Sequence, residues 1–576
     1  LGDFATLSHR RRLRFWGWGY EDEDLSPDEA DRVRAGAARA IGHAPQEIAP
    51  PTEADFDLPS PRAAAPASLA AMVSTTPYDR LTHALGKSFG DAVRMRLRRI
   101  DHPPDLVAFP KTAQDVADLL DWASRANLAV TPFGGGSSVA GGVESDVGDS
   151  YAGALVIDTQ HLNRVVEIDR LSRAARIQAG ALGPEIEEQL RPHGLTLRHF
   201  PQSFQISTLG GWIATRSGGH FASLYTHIDD FVESTTTVTP AGVMETRRLP
   251  GSGAGPSPDR MMIGSEGVLG VIVEAWMRLQ DRPTRQASAS VTFRSMGEAT
   301  AAVRALTQAG LYPSNCRLLD PAEAQGNGVG DGASPILVLG FESADHPLDA
   351  WMQRALELVS DHGGSYDKAA VAAQLQPAAG AAQRREGATG QWRNAFIRMP
   401  YGRNLSVGLG MIGDTFETSI TWDRFDAFYD GVRERAARAI SEICGHPASV
   451  SCRFTHVYPD GPAPYFSFSA VGTRDGKLED SLARWREIKA ATNEISVALG
   501  GTVTHHHAVG RDHRPGYEKQ IPPLFRAALT AAKTALDPAG VMNPGVLIDP
   551  ANRKVGQGGV LGGRAVANRV KRGPRT

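Results

Sequence analysis

Ala129-Val-Thr-Pro132-Phe133-Gly134-Gly135-Gly136-Ser137-Ser138 is the stretch from which the fold can be read. Its first half is a short run of strand type. Its second half is three glycines followed by two hydroxyl residues. Residues without a Cβ let the backbone approach a ligand closely, and their successive N–H groups can converge into a concave anion site. Ser137 and Ser138 can add hydroxyl donors. The loop is neither Gly-x-Gly-x-x-Gly nor a phosphate loop ending in Lys-Ser/Thr. Alone, a plain glycine turn accounts for it equally well.

Outward from this loop the pattern becomes specific. Asp105 to Phe109 reads as a strand and Asp115 to Ala126 as an amphipathic helix, so strand, helix and strand lead into the glycines, the grammar of a βαβ unit. Strands at 154–158, 165–168 and 176–179 and a helix at 184–191 continue an α+β nucleotide-binding domain. Two more runs of small residues follow, at 204–219 and 264–274. After about residue 284 helices (297–309, 347–361, 422–443, 477–498) alternate with strands (335–341, 463–470), which predicts a second domain of helices over a sheet. Residues 520–537 read as helix, and Leu536 to Gly545 as the segment that closes the fold. Before the loop, Ser26-Pro27 caps a helix over 26–45, and 49–72 is a Pro- and Ala-rich linker. The expected division is an N-terminal helical segment and linker (1–75), a nucleotide-binding domain (76–283), a cap domain (284–500), a closing segment (501–550) and a loose basic tail (551–576).

The 576 residues carry a net charge of −3, which argues against non-specific nucleic-acid binding, and 41% hydrophobic residues supply large cores. Cys316, Cys444 and Cys452 lack ligand or disulfide spacing, so a reducing, cytoplasmic setting is expected. No apolar run approaches the roughly 20 residues of a spanning helix. The first residues lack a signal-peptide pattern, and the last are not a peroxisomal address. Leu1 is not an initiator Met, which leaves room for residues upstream. Arg10-Arg11-Arg12-Leu-Arg14-Phe15-Trp16-Gly-Trp18-Gly-Tyr20 has two readings: peripheral contact with an anionic membrane surface, or docking of its aromatics on the protein body.

His505-His506-His507 is the chemically unusual stretch. If 502–507 is a strand, His505 and His507 share one face and His506 takes the other. Histidine suits proton transfer near neutrality. A metal site, a solvated turn and a core histidine bonded to carbonyls compete with catalysis. No carboxylate or Cys at ligand spacing accompanies the triplet, so no metal is expected. Tyr465 lies in the alternating run Pro464-Tyr-Phe-Ser-Phe468, where a packing role is the ordinary one.

Together these motifs resemble the flavin-binding superfamily of the vanillyl-alcohol-oxidase type, and within it the alkyldihydroxyacetonephosphate synthases. The resemblance runs from Trp16 to Gly545. It is carried by Pro132–Ser138, Gln202–Thr208 with Gly210-Gly211, Thr215–Gly218 and Glu266–Ile272. More specific are Gly413-Asp-Thr-Phe-Glu-Thr-Ser419 with Trp422-Asp423, Ser451-Cys-Arg453, Tyr465-Phe466 and the histidine triplet. It implies an α+β fold: a two-part FAD-binding domain, a helix-over-sheet cap and a helical N-terminal extension. It places FAD, bound non-covalently because the glycine loop has no His or Cys to bond it, against Pro132, Phe133, Gly134, Gly135, Gly136, Ser137 and Ser138. Gln202, Ser203, Ser207, Thr208, Thr215, Arg216, Ser217 and Gly218, and then Glu266, Gly267, Val268, Leu269, Gly270, Val271 and Ile272, complete that surface. Gln202 departs from the family's Asp, and Phe200 stands where an acidic residue is common.

The catalytic set implied is Tyr465, His505, His506, His507, Arg403, Arg317 and His199. Tyr465 would act on the carbon beside a ketone, with its pKa lowered from about 10 by Arg403 and an imidazolium of the triplet. Arg403 would hold a phosphate or the leaving carboxylate. The activity implied is exchange of the acyl chain of acyl-dihydroxyacetone phosphate for a long-chain alcohol, by a homodimer. A 2-hydroxy-acid dehydrogenase of the same superfamily is the alternative, and a non-catalytic flavin or lipid-surface protein a second one. The former typically carries Glu-His-Gly-x-Gly where this chain has His506-His507-Ala-Val-Gly510.

Overall fold

The computed structural model describes residues 11–375 and 388–551. The tail expected to be loose lies outside them from residue 552 on, as does Arg10. After the capped helix α1 (Pro27–Ile41), a four-stranded sheet forms from β1 (Val73–Ser74), β2 (Leu106–Ala108), β3 (Leu128–Phe133) and β4 (Gly153–Asp158), in the order β1-β2-β4-β3. β2, β4 and β3 are parallel. They are buried nearly throughout, which is why they read as apolar runs and not as alternating ones. Helix α2 (Ala113–Ala126) covers them, capped by Thr112 with Asp115 and ended by Asn127 at φ 54°.

β3 is an edge strand, and its edge is covered by the chain's end. Val130 donates to the Val541 carbonyl (2.8 Å) and accepts from Asn543 (2.7 Å). The final helix, α9 (Pro523–Leu536), buries one residue fully, Lys533. Its ammonium donates to the carbonyls of Val268 and Met542 (both 2.8 Å) and to Asp537 (3.1 Å). The closing segment is thereby pinned to the nucleotide-binding part.

A second, antiparallel sheet follows: β5 (Val165–Asp169), β6 (Ala174–Gln178), β7 (Val232–Thr239), β8 (Gly242–Glu245) and β9 (Val271–Arg278), ordered β5-β6-β9-β7-β8. The short helix α3 (Leu209–Thr215) packs on it.

The largest sheet has seven strands: β10 (Arg285–Thr292), β11 (Asn315–Leu319), β12 (Ile336–Ser343), β13 (Ser365–Tyr366), β14 (Met411–Glu417), β15 (Ser449–Val457) and β16 (Pro462–Val471). Their order is β13-β10-β12-β11-β15-β16-β14, all antiparallel. Helices α4 (Met296–Gln308), α5 (Asp349–Asp361), α7 (Trp422–Cys444) and α8 (Leu478–Ala498) contribute to one core with it. In that core Cys452, Phe466 and Phe416 are cross-strand partners. One residue along each strand the faces exchange, so the next row, Arg453, Tyr465 and Glu417, faces away from the helices. Helix α6 (Ala388–Ser406) lies on that other side.

The basic, aromatic start docks on the protein body. Phe15 and Tyr20 are buried, Arg14 pairs with Asp24, Arg11 with Asp22 and Glu23, and Arg12 with Glu21 and Glu53. Trp18 exchanges two hydrogen bonds with Asn404 of α6 (2.8 and 3.0 Å).

Lys533→Ala should cost about 3–5 kcal/mol, the usual penalty for stripping one partner from a buried charged cluster. A urea titration of the FAD-loaded protein reads this as a lowered midpoint.

Candidate active site

One cavity lies between the two smaller sheets and the polar row of the large one, whose Arg453 and Tyr465 line it. The glycine loop 132–138 forms part of its wall, with Arg317, Arg453, Tyr465, His506 and His507 on the opposite side. Trp18 and Phe396 of α6 also line it.

The row on the large sheet sets the chemistry. Tyr465 sits between Arg453 and Glu417, its two cross-strand partners. The Arg453 guanidinium lies 4.0 Å from the Tyr465 ring centroid and is itself paired with Glu323. Thr415 donates to the Tyr465 hydroxyl (2.9 Å), and His507 Nε2 lies 3.5 Å from it. Burial pushes the tyrosine's pKa up, and Arg453 opposes that shift.

The triplet is not a strand. Residues 504–507 bend around the Glu417 carboxylate, and three successive backbone N–H groups donate to it. His505 donates to Oε2 (2.8 Å), His506 to both oxygens (3.0 and 3.1 Å) and His507 to Oε1 (3.0 Å). Thr504 adds its hydroxyl (2.5 Å). Burial opposes the charge on Glu417, but its contacts with the facing His506 hold it well below the usual carboxylate range. The three rings then diverge. His507 turns to Tyr465, and His506 places Nδ1 3.1 Å from Glu417, with its ring beside His456. His505 turns to Tyr458 (3.0 Å) and His227 (3.2 Å). His505 and His507 therefore do not form an equivalent pair, contrary to the strand reading. Burial lowers His505 far below the ordinary histidine value and His507 to about 3, so neither supplies the imidazolium expected beside Tyr465. Arg453 is the cation there.

Two regions of the chain match known families: residues 104–247 the FAD binding domain, and residues 282–547 the C-terminal domain of FAD linked oxidases. An alkyldihydroxyacetonephosphate synthase of Trypanosoma brucei brucei is 31% identical over 482 residues, spanning 82% of this chain and 77% of the relative. The chain belongs to the alkyldihydroxyacetonephosphate synthase family. The synthase of Dictyostelium discoideum is 28% identical over 495 residues, with 81% and 77% covered. A solved alkyldihydroxyacetonephosphate synthase structure superposes with a TM-score of 0.74 at 24% identity, over 92% of this chain and 98% of that one. This is a flavin-dependent enzyme family, and FAD is the cofactor.

The residues present fit FAD. A Cβ on Gly135 would stand 1.6 Å from the Ile206 carbonyl oxygen, and one on Gly134 2.2 Å from the Thr208 hydroxyl. Two small-residue runs thus press together and leave backbone as the cavity wall, a surface suited to phosphate oxygens. Of the expected cofactor residues, Pro132–Ser138, Gln202, Ser203, Ser207, Thr208, Thr215, Ser217, Gly218, Glu266, Gly267, Gly270, Val271 and Ile272 line the cavity. Arg216, Val268 and Leu269 do not. Arg216 ends α3 at φ 51° and pairs with Asp229, whereas Val268 and Leu269 fill a small core with Val509 and Val546. The Glu266 carboxylate is engaged by the backbone N–H groups of Val509 and Gly510 (2.8 and 2.7 Å). Burial raises it to about 7. Gln202 donates to the Phe396 carbonyl (2.9 Å), so the residue that departs from the family pattern holds α6.

Three of the expected catalytic residues stand outside the lining: His505, turned to Tyr458 and His227, and also Arg403 and His199. Arg403 does not line the cavity. It lies seven residues beyond Phe396, about 10 Å further along the helix, and meets the Lys87 carbonyl (3.1 Å) and Asp414 (3.5 Å). His199 is buried against Trp212 and Phe231, lowered by that burial to about 3, and stands behind the lining residues Trp212 and Ser217, the latter at 3.1 Å. Arg317 does line the cavity, and burial lowers it to about 9.

Glu417, Arg453, His456 and His227 were not among the expected site residues. Glu417 and Arg453 stood inside quoted motifs, but only strand register places them beside Tyr465. His456, His505 and His506 also bring one ring nitrogen each within 4.8 Å of one another, a grouping that the metal-free expectation, argued from local spacing, did not take into account.

Gly135→Ala should yield folded protein without bound FAD, read as loss of flavin absorbance in the purified variant; retained flavin would contradict the cradle.

Proposed function

We propose that this enzyme exchanges the acyl chain of an acyl-dihydroxyacetone phosphate for a long-chain alcohol, forming an ether bond. The observation that carries the reading is the Arg453–Tyr465–Glu417 row facing the flavin-binding wall in a chain of this family. FAD supplies a nitrogen nucleophile toward the substrate carbon.

The chain's own residues supply proton handling and charge. Tyr465 removes a proton from the carbon beside the ketone and later returns it. Thr415 and His507 fix the phenol oxygen from two sides, while Arg453 favours the phenolate against the effect of burial. Arg317 takes the oxyanion role that the resemblance gave to Arg403: it is buried, lines the cavity and presents a guanidinium suited to phosphate or carboxylate. The fatty-acid carboxylate leaves and the alcohol oxygen bonds to the same carbon. Trp18, Phe396 and Phe133 offer apolar wall to the alkyl chains.

No helix among the described residues is long and apolar enough to cross a membrane. Leu524 and Phe525, 86% and 56% exposed at the start of α9 and followed by Arg526, support peripheral contact with the lipid surface that holds the substrates.

Incubation with acyl-dihydroxyacetone phosphate and labelled fatty alcohol should give labelled ether product and free fatty acid. Catalytic bleaching of the flavin by D-lactate without oxygen, and no ether, would instead mark a 2-hydroxy-acid dehydrogenase. Arg453→Met removes the cation that favours the phenolate, so the tyrosine's pKa rises. The ascending limb of the pH–rate profile should therefore move to higher pH; an unmoved limb would exclude Arg453 from that role.

A further inference from the structure

We propose that His506, His505 and His227 form a proton exit leading from the active cavity to the protein surface. The proposal rests on the ether-forming exchange above, and that exchange has a proton to dispose of. The alcohol's O–H bond and the ester's bond between carbon and carboxylate oxygen break, and one carbon–oxygen ether bond forms. The proton taken by Tyr465 returns to its carbon. Because the fatty acid leaves ionised near neutral pH, each turnover leaves one proton over, that of the alcohol. With FAD and two alkyl chains in the cavity, that proton needs a path that does not depend on cavity water.

The geometry supplies one. His506 lines the cavity, and its Nδ1 lies 3.1 Å from His505 Nδ1. His505 is not part of the lining; its other nitrogen, Nε2, lies 3.2 Å from His227 Nε2. His227 is half-buried, and its Nδ1 lies 3.0 Å from the carbonyl oxygen of Arg216, an exposed residue, at the outer end of the series.

That carbonyl fixes the direction of the whole series. A carbonyl only accepts, so His227 Nδ1 carries hydrogen, and in the neutral ring Nε2 is then the acceptor. His505 therefore donates from Nε2 and accepts at Nδ1, which receives the Nδ1–H of His506. Every hydrogen bond runs outward from the cavity. Burial keeps His505 and His227 below the ordinary histidine range, so both rest as neutral rings able to accept at one nitrogen and release from the other. Tyr458, 3.0 Å from His505 Nε2, steadies that ring. Glu417, 3.1 Å from His506 Nδ1, stabilises the positive charge while the proton rests at the entrance. His227 is thus a relay residue at the outer end, remote from the reacting atoms.

The test measures ether formation by the FAD-loaded enzyme in weakly buffered solution, with His227→Gln and His227→Asn beside the parent protein. Either amide can still donate to the Arg216 carbonyl, but neither passes a proton through. Turnover should fall about a hundredfold, the low end of what a positioned proton-transfer group contributes. Flavin content should be unchanged, and added imidazole should restore the rate in the variants but not raise it in the parent. Variants that turn over like the parent would overturn the relay, as would a loss that imidazole never restores while FAD stays bound. If the parent itself forms no ether, the failure belongs to the proposed reaction and not to the relay.

Discussion

The Glu417 carboxylate holds this active site together. It is buried, it accepts from three consecutive backbone N–H groups and a threonine hydroxyl, and it faces three imidazoles. A buried charge is tolerated only when its lone pairs are satisfied, and residues 504–507 satisfy them by abandoning extended structure. The bend that results spreads the three rings in different directions. One carboxylate therefore determines that His507 meets Tyr465, His506 the cavity, and His505 Tyr458 and His227.

Glu417 itself is held by sheet register. β14 and β15 flank β16 so that Glu417 and Arg453 are the two partners of Tyr465. The neighbouring row, Phe416, Phe466 and Cys452, is locked into the helical core. A slip of one residue would move the polar row into that core and the phenylalanines into the cavity. Packing on one face of the sheet thus enforces the chemistry on the other. The opposite wall obeys a different constraint, because it is made of residues too small to intrude, with the Gly134–Gly135 backbone pressed onto residues 206–208. The chain's end unites the walls: Glu266 of the third small-residue run holds Val509 and Gly510, just after the triplet, and Asn543 donates to the Glu266 carbonyl (2.7 Å).

Much of this was legible in the amino-acid order. Helices α2, α4, α5, α7 and α8 lie within a few residues of the spans read from apolar periodicity and caps, and the strands around the glycine loop do likewise. The motif order picked out the glycine-loop wall and named Tyr465, His506 and His507, which line the same cavity. What failed did so for identifiable reasons. The triplet read as a strand because local pattern cannot show a carboxylate arriving from β14. Arg403 looked like the oxyanion holder because a motif match does not say how far along a helix a side chain lies from a cavity. Tyr465 was expected to sit beside Arg403 and an imidazolium, but the cation over its ring is Arg453, and burial lowers both His505 and His507.

By itself, then, the sequence determined the elements, the loops that must be built of small residues, and the family. These are properties of local pattern: periodicity, caps, and glycines where backbone must come close. Tertiary structure alone decided which charges meet. The Arg453–Tyr465–Glu417 row exists because β14 pairs in register with the hairpin of β15 and β16, and the series from His506 to His227 exists because the bend at 504–507 meets the loop that carries His227. Cross-strand register and burial set protonation states, and neither is written in any one stretch of residues.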